Sequence, residues 1–208
     1  MQEKSSLYVH RPSLYNFLRF ANRYEIEKSI LDCGAGGKVP PLELFARYGY
    51  DATGIDIDQD QINRATEFAS SHNLSMKIEY GDMRDLKFPD ASFGFVYSVN
   101  SIFHLPKADS AKAMAEMRRV LKPGGLLYVN FLSIDDQNYG KGKEVNPGEF
   151  LQEEHGGTVI HSYYKDHEPD TYFDGMDLIF YQKRMMRLLF KEGTYSPCMF
   201  DYIAKKKE

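Results

Sequence analysis

A chain of 208 residues suits one domain with a sizeable core, and shares of 42% hydrophobic and 27% charged residues are those of a globular protein with no apolar run near the ~18 residues of a membrane span. The net charge of −4 speaks against a nucleic-acid partner, which asks for a basic excess on one face. The opening MQEKSSLYVHRP lacks the apolar stretch of a secretory signal, so a cytoplasmic chain is expected; Cys33 and Cys198, the only cysteines, read as small buried hydrophobes rather than a disulfide or a metal site.

Pro12 to Tyr24 reads as a helix with Leu14, Phe17, Leu18 and Ala21 on one face. Tyr15, on the same helix, is either core or a cover for a ligand. Ser29-Ile30-Leu31 reads as a short buried strand, and Asp32 stands where it gives way to Cys33-Gly34-Ala35-Gly36-Gly37, a loop able to approach a ligand with bare backbone. Pro41 suits a first helical position, Leu42, Phe45 and Ala46 share a face, and Gly49 supplies the stop. A second strand, Ala52 to Ile55, ends on Asp56-Ile57, where a carboxylate can accept from both hydroxyls of a ribose.

Asp58 caps the next helix with Gln61 at the reciprocal position, and Ile62, Ala65 and Ala69 form its inner face. Met76 to Tyr80 is the third strand, Phe93 to Tyr97 the fourth and Leu126 to Phe131 the fifth. A helix from about Asp109 precedes the last of these, burying Met114, Met117 and Leu121. Strands alternating with helices argue for a parallel sheet covered on both faces, with ligands at the carboxyl ends of the strands.

The glycine loop therefore binds a nucleoside, and the details narrow which. A dinucleotide fingerprint wants Gly or Ala where this chain has Val39, and a phosphate loop wants a Gly-Lys-Ser/Thr ending that is missing. Asp32 repels phosphate but suits a cationic amino group or a sulfonium, unless it only bonds the amides of the loop. An amino-acid-bearing nucleoside fits best.

Four motifs between about residues 14 and 133 carry a resemblance to the class I S-adenosylmethionine-dependent methyltransferases, of the small-molecule, methyltransferase type 11-like kind. They are Asp32-Cys33-Gly34-Ala35-Gly36, Asp56 at a strand end, Gly81-Asp82-Met83 after the third strand, and Leu121-Lys122-Pro123-Gly124-Gly125 before the fifth. The resemblance implies S-adenosylmethionine as cofactor. The glycine loop would wrap its methionine part, Asp56 with Ile57 would take the ribose, and Asp82 and Met83 would meet the adenine. Ser98 and Asn100, after the fourth strand, become candidates for the methionine side, Asn100 equally for a simple turn, and Tyr15 for the cofactor carboxylate. Many members carry a further glycine where this chain has Lys38, with Gly37 beside it.

The resemblance implies an α/β, Rossmann-like doubly wound fold: a mostly parallel seven-stranded sheet with a C-terminal antiparallel hairpin. Leu178 to Lys191 and Cys198 to Lys205, either side of a turn-rich loop, supply that hairpin. The chain then reads as a single domain, 1–208: an N-terminal helical cover (1–28), the cofactor core (29–133), an acceptor-side insertion or lid (134–175) and the hairpin (176–208). Long irregular insertions in compact domains tend to be functional, which gives the third of these to a methyl acceptor.

No motif names a catalytic residue. His161 and Tyr163, two apart on a strand, face one side and can orient or deprotonate an acceptor; His104 is a further candidate base or a packed residue. His155, His161 and His167, with Glu153, Glu154, Asp166 and Glu168 nearby, lack metal-site spacing, so no metal is expected. Lys183-Arg184 with Arg187, and Lys205-Lys206-Lys207, read as solvated edges. The expected partner is a small-molecule methyl acceptor, with no nucleic acid and no membrane, and the oligomeric state is not legible. Two other readings stand beside transfer: a cofactor-binding protein without chemistry, and a nicotinamide-dependent oxidoreductase, which Val39 and Asp32 disfavour.

Overall fold

The computed structural model describes residues 10–154, 156–190 and 193–208. The chain opens with α1 (Pro12–Ala21), whose proline occupies the first turn, where a missing N–H costs nothing. Then come β1 (Ser29–Cys33), α2 (Leu42–Arg47), β2 (Asp51–Asp56), α3 (Gln59–Ser71), β3 (Met76–Tyr80), β4 (Phe93–Ser98), α4 (Lys107–Val120) and β5 (Leu121–Ser133). The insertion supplies β6 (Lys143–Asn146), β7 (Glu149–Glu154) and β8 (Gly157–Tyr164). After a 3-10 turn at Glu168–Phe173, the chain closes with β9 (Met176–Met185), β10 (Leu188–Phe190), β11 (Gly193–Tyr195) and β12 (Cys198–Lys206).

The central sheet runs β3-β2-β1-β4-β5, all parallel, and continues through β12, antiparallel to β5, to β9, antiparallel to β12. These are the seven strands and the reversed pair that were expected. Alternation along the strands splits the core into two layers. Phe95 and Tyr97 of β4 and Leu126 and Tyr128 of β5 face α1 and α2, while Val96, Leu127 and Val129 face α4 with Met114 and Met117. Burial on both faces explains why β1, β4 and β5 read as continuous apolar runs.

The sheet departs from expectation in two ways. The sheet does not stop at seven strands, because β5 is 13 residues long and outruns β4. Its last residues, Leu132 and Ser133, pair with Tyr163 and Tyr164 of β8, which carries β7 and β6 along as an antiparallel meander. The insertion is thus largely a folded sheet, seated on a third apolar cluster of Phe103, Leu132, Phe150, Tyr163 and Met199. The hairpin strand beginning at Met176 also ends earlier than expected, at Met185, and β10 and β11 form a separate two-stranded ribbon.

The basic stretches are mixed, with Arg187 and Lys207 exposed as solvated edges and Lys183, Arg184 and Lys206 tied into the fold. Arg184 pairs with the buried Asp201, Lys183 with Asp135 and Asp166, and Lys206 donates to the carbonyls of Arg118 and Leu121. No helix among the described residues is long and apolar enough to cross a membrane.

Candidate functional site

The loops that follow β1, β2, β3 and β4 converge at one end of the sheet around a cavity of about 760 Å³. Asp56 is its organising side chain. One carboxylate oxygen accepts from the Gly36 amide and the other from the Asp58 amide, both at 2.9 Å. Each oxygen keeps a lone pair, which is what two adjacent hydroxyls require. The Asp58 amide is therefore held by Asp56 and not by Gln61; Asp58 still caps α3, accepting from the Asp60 and Gln61 amides.

The glycine loop is tight. A Cβ on Gly36 would stand 2.6 Å from Asp56 Oδ2 and 2.5 Å from Gln61 Cβ, and one on Gly34 would stand 2.1 Å from Ser101 Oγ. Gly37, next to Lys38, has φ +111°, which glycine adopts without strain. Gly34, Gly36, Asp56, Ile57, Asp82 and Met83 all line the cavity. Asp82 is gripped by Arg84, whose hydrogen bonds hold its carboxyl below the usual range. Asn100, at φ +57°, lines it as well; its backbone N–H donates to Asn130 Oδ1 at 2.8 Å, and its side-chain amide sits 3.0–3.2 Å from the Arg11 guanidinium.

Other expected contacts are placed elsewhere. Ser98 is fully buried and donates to the Cys33 carbonyl at 2.8 Å, so it braces the loop from behind. The Cys33 side chain lies in the core, where burial and then Asp32 push its thiol up, and Ala35 is packed beneath Gly54. Tyr15 is 37% exposed and does not line the cavity; His10, Arg11 and Leu14, on and before the same helix, do. His10 is fixed by Glu43 at 2.8 Å. The reason is helical phase: the face that buries Leu14, Phe17 and Leu18 turns Tyr15 away.

Asp32 also lies outside the lining, 1% exposed. Burial pushes its carboxyl up to about 8, the neighbouring Tyr97 hydroxyl draws it down, and Asp56 adds to the rise. Its Oδ2 is buried without a hydrogen-bond partner among the described residues.

A second cavity, about 850 Å³, adjoins the first and shares Arg11, Asn100 and His104 with it. Its remaining wall comes largely from the insertion, including Gln152, Glu154, His161 and Tyr163, and from Met199 of β12. His161 and Tyr163 face the same side of β8, their rings 6.4 Å apart. The Tyr163 hydroxyl donates to Gln152 Oε1 at 3.1 Å, and burial raises its pKa, so it suits positioning better than proton abstraction. The His104 and His161 rings meet edge to face at 4.7 Å. Glu154 joins them, its Oε2 lying 3.0 Å from His161 Nε2 and 3.9 Å from His104 Nδ1. His155 lies outside the described residues, and His167 is turned toward Asp170 and Tyr181.

Arg11 was not singled out from sequence, and Glu154 only as a neighbour in a grouping of histidines and acids that lacks metal-site spacing. Neither belongs to a motif, and only the approach of the N-terminal segment and of β7 to the β4 loop gives them a role.

Residues 31–129 match the methyltransferase domain family. Over 102 residues the chain is 37% identical to a sterol 24-C-methyltransferase of Gibberella zeae, covering 48% of this chain and 26% of that protein. It is 40% identical over 101 residues to the 2-methyl-6-phytyl-1,4-hydroquinone methyltransferase of Synechocystis, covering 49% of this chain and 31% of that protein. The chain thus spans about a quarter to a third of these relatives. Among solved structures, an S-adenosylmethionine-dependent methyltransferase of Methanosarcina mazei superposes with a TM-score of 0.75 at 25% identity, over 90% of this chain and 97% of that one.

Proposed function

From a methyltransferase domain over residues 31–129 on a class I fold, we propose that this protein moves a methyl group from S-adenosylmethionine to a small-molecule acceptor. The observation that carries this reading is the pair of cavities meeting at Arg11, Asn100 and His104, one walled by the cofactor motifs and the other by the insertion. A transferase of this kind needs donor and acceptor compartments that open on one another.

The residues fit the cofactor. Asp56 would hold the ribose hydroxyls, the bare backbone at Gly34 and Gly36 would admit the methionine part, and Met83 and Asp82 would face the base. Arg11, beside Asn100, is the cation suited to the cofactor carboxylate. When bound, S-adenosylmethionine supplies a methyl group on a sulfonium whose leaving group is the neutral thioether S-adenosylhomocysteine.

The chain's remaining work is to orient the acceptor and exclude water, since displacement at a methyl needs approach to within about 3–3.5 Å. The division into an N-terminal cover, a cofactor core and an acceptor-side insertion belongs to this proposal. The acceptor wall combines Phe103, Leu132, Tyr163 and Met199 with His104, His161 and Glu154, which suits an apolar or aromatic molecule carrying one polar, proton-bearing atom. The net charge of −4, and the tying of Lys183, Arg184 and Lys206 into the fold, support a small molecule over a nucleic acid.

Titration calorimetry tests the cofactor half. S-adenosylmethionine and S-adenosylhomocysteine bind saturably and raise the melting temperature, whereas NAD and ATP do neither; saturable NAD binding with no heat from either sulfur nucleoside overturns it. An acceptor screen with labelled cofactor tests the transfer half.

A further inference from the structure

Three side chains that no motif links converge where the two cavities meet. His104 comes from the turn after β4, Glu154 from the end of β7 and His161 from β8. One ligand atom from each lies within 4.8 Å of the other two, with 3.0 Å between His161 Nε2 and Glu154 Oε2 and 3.9 Å between His104 Nδ1 and the same oxygen. Two imidazoles and one carboxylate on a single ion at about 2.0–2.2 Å stand roughly 3–3.5 Å from one another, so the cluster is within about 1–2 Å of an ion-binding spacing.

We infer that His104, Glu154 and His161 form a binding site for one divalent transition-metal ion, of the zinc, iron, cobalt or nickel class. Two nitrogens and one carboxylate oxygen suit those ions and are a poor match for calcium or magnesium, which prefer all-oxygen shells. Three protein ligands leave positions open, and His104 lines both cavities while Glu154 and His161 line the second. The open positions therefore face the space given above to the acceptor. Resting on that reading, the site selects acceptors whose attacking atom is itself a metal donor, a hydroxyl, thiol or imidazole, and its charge would hold that atom deprotonated, the proton passing to solvent. Tyr163, hydrogen-bonded to Gln152, then positions the acceptor and takes no proton.

The test is a titration of the full chain, stripped with chelator, with Zn²⁺ by calorimetry and with Co²⁺ by visible absorption. The expected result is one equivalent bound, with d–d bands of a nitrogen-ligated Co²⁺. His104→Ala, His161→Ala and Glu154→Gln each weaken binding by at least about tenfold, or ~1.4 kcal/mol. His167→Ala, outside the cluster, leaves it unchanged. Glu154→Gln preserves size and covers the case in which a histidine variant fails to fold; circular dichroism and a cooperative melt report the fold of each. No binding, or binding that survives all three substitutions, overturns the site. Because no cofactor or acceptor is present, that failure leaves the methyl-transfer reading standing, whereas an intact metal site with no transfer to any metal-donor acceptor removes the acceptor assignment alone.

Discussion

The segment at 29–133, proposed above as the cofactor core, and the insertion at 134–175, proposed as the acceptor side, build their sites in opposite ways. In the core, contacts are made by residues whose places follow from a strand ending: β1 runs into its glycine loop, β2 ends on Asp56, and Gly36 and Asp58 donate to that one carboxylate. In the insertion, Glu154 and His161 are brought together by the β7–β8 pairing and reach His104 only because β8 docks on the end of β5. A site made at a strand terminus survives in the sequence as a motif. A site made by strand pairing leaves scattered residues.

Substitutions in the two regions should therefore separate cofactor affinity from turnover. The largest effect is expected from Gly36→Ala, whose Cβ would push into Asp56 and Gln61. S-adenosylhomocysteine affinity should fall by roughly 150-fold, about 3 kcal/mol, in a protein with an unchanged circular dichroism spectrum. Near-normal affinity by calorimetry would mean that the loop does not press on Asp56 as described. Asp56→Ala removes an ionised acceptor of two hydroxyl hydrogen bonds and should cost about 1.5–3 kcal/mol of the same affinity without unfolding. An unchanged dissociation constant removes Asp56 from the site.

Asp32 sharpens the comparison inside the core, because it is an acid of the same motif with a buried environment. Its folded pKa of about 8 lies above the ordinary 3.8, so between those values the folded state holds more protons than the unfolded one. Stability from this group is present at low pH and is lost as pH rises through the window from about 4 to 8, by up to about 1.4 kcal/mol per pH unit. Urea denaturation at a series of pH values should show the wild type gaining on Asp32→Asn as pH falls from 8 to 5. Parallel curves would mean that Asp32 is ionised in the fold.

The smallest effect on cofactor affinity is expected on the acceptor side. His161→Ala and Tyr163→Phe should leave S-adenosylhomocysteine affinity within about threefold, under roughly 0.7 kcal/mol, while lowering turnover on an acceptor found by screening. Wild-type turnover in both, or outright loss of the cofactor in either, breaks the division between the two regions.

The same contrast sets how much was legible. The helix faces of α1 and α3, the order of the parallel strands, the reversed β9–β12 pair and the places of Gly34, Gly36, Asp56, Asp82 and Met83 were all readable. Periodicity and strand-end loops are local properties, and a glycine forced by a 2.6 Å approach leaves a local mark. Ser98, Cys33, Asp32 and Tyr15 show where that logic stops. Asp32 and Cys33 belong to the glycine-loop motif and Ser98 and Tyr15 to no motif, yet which way each side chain points is set by packing against the layer behind it.

The sequence by itself determined the class of fold and the glycine loop and strand-end acids proposed to hold the cofactor, because both follow from residues close together in the chain. Only the tertiary structure decided the arrangement proposed as the acceptor side: that β5 outruns β4, that the insertion pairs with the exposed end, that Arg11 reaches Asn100, and that His104, Glu154 and His161 meet. Those contacts join elements far apart in the chain, and their geometry depends on how a sheet twists and where it stops. Neither quantity is written in any short window of residues.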